Sequence, residues 1–174
     1  MKRIERFFLR AKHWQVFVLV WGAYFIAVAA VVENPTRIPR LSIAAMSLFI
    51  LSFAAWLWSI GSFLFSIAEP VPRLSVDFFR FAIIFAGAYL PPTLAFPVNV
   101  RPIVAVLMLL LLLFAVFCWA YAYHFVSKSL VAAEKGRAVT GGDYRSTMLL
   151  LLVGFIGVWQ IQPRINRLYA ITHD

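Results

Sequence analysis

Ionisable side chains are scarce in this 174-residue chain, and most of its length has none. Charged residues make up 13%, about half the usual share. Carboxylates are the rarest of them: seven Asp+Glu stand against sixteen Lys+Arg, for a formal charge of +9. A single cysteine, Cys118, excludes a disulfide within the chain and leaves its redox compartment unread. His13, His124 and His173 lie far apart, with no Cys, His or carboxylate at metal-ligand spacing, so neither a metal nor a cofactor is expected. No P-loop, G-x-S-x-G elbow or H-E-x-x-H pair occurs; Gly141-Gly142-Asp143 has no Lys-Ser/Thr after it. Without paired acids, a Ser with a His, or intramembrane metal ligands, an enzyme is not expected. The one pair an enzyme could use is His124 with Glu134.

What fills the chain instead is apolar. Hydrophobic residues reach 63%, far above the roughly 45–50% of soluble domains. That excludes disorder and argues against a water-soluble domain, because too little polar surface remains to cover it. Five windows hold no Asp, Glu, Lys or Arg: Trp14–Val32, Leu41–Ala68, Phe81–Val100, Pro102–Ser127 and Ser146–Pro163. A hydrocarbon core of about 30 Å needs about 20 helical residues, and hydrocarbon forces such segments to be helical.

The expected fold is therefore all-α, a polytopic membrane helix bundle forming one integral membrane domain over 1–174. Spans are predicted at about 14–32, 42–67, 80–98, 102–127 and 146–163. An interfacial basic helix over 1–13 precedes them, with Ile4, Phe7, Phe8, Ala11 and Trp14 at helical spacing among Arg3, Arg6, Arg10 and Lys12. A weaker reading makes the first window a signal peptide cut after Ala27-Val28-Ala29. Pro91-Pro92 should break or kink the third span, and Pro163 should end the fifth. Ser127 to Lys135 should continue the fourth helix, Gly136 should end it, and Asp143 should N-cap the last.

Loop charges orient the chain. With five spans and the N-terminus cytoplasmic, eleven Lys+Arg fall inside and five outside. The fifth segment, the shortest, allows a second topology. Were it re-entrant, both termini would be cytoplasmic and the division would be thirteen to three. No basic block sits on a soluble domain, so nucleic acid is not an expected partner.

Three groups of residues are candidates for function. In the second span Ser52, Ala55, Ser59, Ser62 and Ser66 form a stripe suited to close helix packing or to lining a pore. Ala23, Ala27, Ala30, Gly154 and Gly157 offer matching smooth faces on the first and last spans. The cytoplasmic loop 128–145 presents Lys128, Glu134, Lys135, Arg137, Asp143 and Arg145 as a surface for a soluble partner. His124, Gln160 and Gln162 form a possible polar site, although Gln160 and Gln162 beside Trp159 fit an interfacial anchor better. Leu109–Leu113 is expected to face lipid.

The stretches AKHWQVF at 11–17, WLWSIG at 56–61 and FVSKSLVAAEKGRAVTGGDY…GVWQIQPRIN from 125 to 166 resemble a family of small uncharacterised bacterial membrane proteins. They touch about a third of the chain, and Glu69–Arg101 departs from the family pattern. The resemblance implies a bacterial inner-membrane protein and nothing catalytic. The expected role is an accessory or interaction subunit, joined to a membrane-protein partner or to copies of itself through the small-residue faces. The alternatives are a homo-oligomeric pore or membrane effector lined by the Ser52–Ser66 stripe and, more weakly, a permease for a lipid or hydrophobic molecule.

Overall fold

The computed structural model describes residues 2–33, 40–67, 74–93 and 101–173. It has seven helices among the described residues and no strand. In chain order they are α1 (Lys2–Arg10), α2 (His13–Glu33), α3 (Arg40–Ile67), α4 (Val76–Thr93), α5 (Pro102–Lys135), α6 (Gly141–Leu152) and α7 (Phe155–His173). Three of them, α2, α3 and α5, are long and apolar enough to cross a membrane. At 1.5 Å per residue, α3 is about 42 Å long and α5 about 51 Å, so each exceeds a hydrocarbon core by a few turns.

The main difference from the sequence reading lies in the last apolar segment. One helix over 146–163 is expected, and two are found, with a turn at Val153–Gly154. Gly154 has φ +28, and the amides of Val153 and Gly154 close the turn on the carbonyls of Leu149 and Leu151. Gly157 then lets α7 fold back on α6: a Cβ there would lie 2.2 Å from the Leu150 carbonyl oxygen. The two glycines create a hairpin where hydropathy alone reads one continuous span. Pro163, expected to end the helix, sits inside α7, which continues to His173. Tertiary bonds to Gln162 and Arg164 on either side outweigh its local cost.

Other boundaries shift less. The span predicted at 80–98 is a helix beginning at Val76 and carrying Pro91 and Pro92 in its last turn, while 94–100 lie outside the described residues. Gly136 ends α5 as expected, at φ 59, with its amide bonded to the Ala132 carbonyl. The N-cap of α6 is Thr140 rather than Asp143. Asp143 stands three residues on and accepts from the Thr140 amide at 2.9 Å, completing a capping box.

Burial is concentrated at one end of the bundle. There Trp56, Ile60 and Leu64 of α3, Phe125 of α5, and Ile161 and Ile165 of α7 are all buried. Phe79 of α4 stacks on Phe125 with ring centres 4.2 Å apart. It fills the space above Gly61, where a Cβ would lie 2.1 Å from the Phe79 ring. At the other end Ile103, Val106, Leu109–Leu113 and Phe117 of α5 stand exposed, the expected lipid-facing surface.

Candidate functional site

The buried end is held by two polar clusters that local spacing conceals. The first surrounds Gln162, which is fully buried. Its Oε1 accepts from the Trp56 indole N–H at 2.8 Å. Its amide nitrogen donates to the Phe8 carbonyl at 2.7 Å and to Asn166 Oδ1 at 2.9 Å, with a longer contact of 3.2 Å to the Ala11 carbonyl. Asn166 Nδ2 also donates to the Ala11 carbonyl, at 3.1 Å. The last carbonyls of a helix have no intrahelical donor. Here α7 supplies donors to the end of α1, while Gln15 Oε1 accepts from the Lys12 amide at 2.9 Å at the start of α2. Gln162 is thus a structural crosslink of α1, α3 and α7, not an interfacial anchor. Gln160, two residues earlier, is exposed.

The second cluster joins α5, α6 and α7. Arg164 donates from Nε to Glu134 Oε1 at 2.6 Å and from a terminal nitrogen to Glu134 Oε2 at 2.5 Å. Its other terminal nitrogen reaches Thr147 Oγ1 at 3.2 Å. Of the expected partner-docking surface, Glu134 is therefore already committed within the chain. Lys135 pairs with Asp143, and Arg137 lies 3.8 Å from the same carboxylate. The Lys135 and Thr140 donors hold the Asp143 carboxyl well below the usual carboxylate range. Lys128 is half-buried and engaged, while Lys135, Arg137 and Arg145 are exposed.

The serine stripe divides. Ser59 is buried and donates to the Ala55 carbonyl at 2.7 Å, and Ser66 donates to the Phe63 carbonyl at 2.6 Å. Ser59, Ser62 and Ser66 face a cleft of about 510 Å³ between α1, α3 and α7, whose walls include Arg6, Arg10 and Tyr169. Ser52 and Ala55 do not reach it; Ala55 lies instead in a shallow groove shared with α4. The alanine face of α2 is used inside the chain: Ala23, Ala27 and Ala30 are buried, and Ser42 donates to the Ala27 carbonyl at 3.1 Å. Gly154 and Gly157 are consumed by the hairpin.

His124 packs edge-on against Tyr144, ring centres 5.1 Å apart. Glu134 is ten residues further along the same helix, a rise of about 15 Å, so the two do not form an acid–base pair. No group of three potential metal ligands occurs among the described residues. A separate apolar cleft of about 230 Å³ is walled by Trp21, Phe49, Phe53, Trp119, Tyr123 and Gly154. The Trp21 indole nitrogen is buried without a hydrogen-bond partner.

Sequence reasoning named Gln162 but missed Trp56 and Asn166 as its fellows, and it missed Arg164 as the partner of Glu134. The available signal was Gln162 and Asn166, four residues apart and so on one helix face. No family model matches the chain, and no curated protein or solved structure matches it.

Proposed function

We propose that the chain is a non-enzymatic multi-pass protein of a bacterial inner membrane, acting as an accessory or interaction subunit. The bidentate Arg164–Glu134 pair carries the topology, because it ties the C-terminal segment to the same end of the bundle as the α5–α6 turn. On this reading α2, α3, α4 and α5 cross the bilayer, and the α6–α7 hairpin enters and leaves by one face. Both termini are then cytoplasmic, and Lys+Arg divide thirteen inside to three outside. Support for the subunit role comes from the exposed Arg137 and Arg145 at the α5–α6 turn. The alanine face of α2 and the glycines of the hairpin serve packing within the chain, which moves the expected partner contact onto this surface.

Two measurements test the reading. In a Cys118→Ala background, Ala138→Cys and Ala170→Cys should both react with an impermeant maleimide only in inside-out vesicles, and Arg40→Cys only in right-side-out ones. Labelling of Ala170→Cys from the side opposite Ala138→Cys would overturn the hairpin. Extraction in mild detergent should yield a fixed-stoichiometry complex with another membrane protein. A clean monomer would overturn the subunit role.

A further inference from the structure

We propose that the cleft between α1, α3 and α7 is a binding site for the phosphate of an anionic phospholipid headgroup. Its volume of about 510 Å³ falls within the roughly 300–1,000 Å³ of small-molecule sites. The lining pairs cations with hydroxyls: Arg6 and Arg10 from α1, Ser59, Ser62 and Ser66 from α3, and Tyr169 from α7. Within this lining Arg10 and Ser62 supply the donors a phosphate needs, since a guanidinium offers a planar fork of N–H groups and a hydroxyl satisfies a further oxygen.

Arg10 is the centre of the argument. No carboxylate lies within ion-pair distance of it among the described residues. Its guanidinium sits 5.9 Å from the centre of the Tyr169 ring, a cation–π contact that orients the group without using its N–H donors. The Ser62 hydroxyl likewise has no hydrogen bond, whereas those of Ser59 and Ser66 are turned back to their own helix. The acid in the cleft, Glu5, accepts from the Trp58 indole at 3.2 Å, which draws its carboxylate toward α3. Arg10, with no carboxylate partner among the described residues, therefore gives the cleft a positive charge that its one acid does not offset.

The cleft's place in the fold favours a lipid over a soluble phosphate. It lies beside the basic helix α1, with the amphipathic ring of Tyr169 in its wall and that of Trp58 bonded to its Glu5, residue types that favour a membrane–water boundary. Lipid phosphates are concentrated there, and the cytoplasmic leaflet is anionic. This step rests on the membrane placement proposed above, which the maleimide labelling tests independently.

Native mass spectrometry of the full chain from detergent, with phosphatidylglycerol or phosphatidylcholine added, tests the site. The wild type should retain one phosphatidylglycerol in preference to phosphatidylcholine. Arg10→Gln and Ser62→Ala should each weaken that adduct, the former about tenfold or more because a charge-assisted bond is lost. Arg3→Gln removes the same charge from α1 outside the cleft and should leave the adduct intact. An equal loss in Arg3→Gln, or no preference for the anionic lipid, would overturn the site in favour of diffuse attraction. Displacement of the lipid by millimolar inorganic phosphate would overturn the lipid assignment in favour of a soluble phosphate. Ser62→Ala retains the charge and a near-identical shape, so its result does not depend on a variant that fails to fold.

Discussion

The indole N–H of Trp56 lies 2.8 Å from Gln162 Oε1, joining α3 to α7 across 106 residues of chain. Both side chains are fully buried, so neither can turn to water if the other is removed. Gln162→Leu keeps the volume but strands the Trp56 N–H and the Phe8 carbonyl. Each stranded buried group costs about 1–3 kcal/mol. Trp56→Phe strands Gln162 Oε1, for about 1–3 kcal/mol, and adds the cost of the cavity left by the smaller ring. Thermal unfolding in detergent should therefore place both variants clearly below the wild type, and an unchanged melting temperature in Gln162→Leu would deny the cluster its crosslinking role.

Arg164 and Glu134 are each 29% exposed, so their pair is partly shielded from solvent. Removing either charge, as in Arg164→Met or Glu134→Gln, should cost about 1–2 kcal/mol, between exposed and fully buried pairs. The double variant should cost less than the sum of the two. Coupling below about 0.5 kcal/mol in that double-mutant cycle would show that the pair does not hold α7 to α5.

What the sequence displays and what it hides follow from the range of the physics involved. Hydropathy is a local property, and the helices α2, α3 and α5 are legible from it because their apolar runs need no partner to be recognised. The Gly136 terminus of α5 is legible for the same reason, since its left-handed backbone is a one-residue requirement. The hairpin is not. Its turn depends on Gly157 meeting the Leu150 carbonyl, a contact that exists only once the chain has folded back. The burial of Gln162 is hidden in the same way, because a glutamine near a helix end beside Trp159 looks interfacial until α1 and α3 supply its partners. The Ser52–Ser66 stripe is real as a periodicity, but α1 covers only its last three serines, which no spacing rule reveals.

Gly157 and Gly22 make a matched comparison. Alanine at 157 places its Cβ 2.2 Å from a backbone oxygen, which cannot rotate away, whereas nothing lies within 4 Å of a Cβ at 22. Gly157→Ala should therefore destabilise by about 1–3 kcal/mol through overpacking. Gly22→Ala should be neutral or gain up to about 1 kcal/mol from helix propensity. Equal melting temperatures for the two variants would show that the α6–α7 turn is not closely packed.

Asp143 gives the turn between α5 and α6 a defined response to acid. Hydrogen bonds from Lys135 and Thr140 depress its folded-state pKa below the ordinary 3.8. A carboxylate with a lowered folded pKa contributes stability that is fully present above the unfolded value and lost as pH falls through the folded one. The capping box should accordingly be unaffected between pH 7 and about 5 and should loosen below about pH 4. Amide exchange at the Thr140 N–H, which donates to Asp143 at 2.9 Å, reads this directly once corrected for the intrinsic pH dependence of exchange. Protection should fall in acid in the wild type. In Asp143→Asn it should already be low at pH 7 and should stay flat. A wild type that keeps full protection well below pH 2, or an Asp143→Asn variant with the same acid transition, would assign the response to another group.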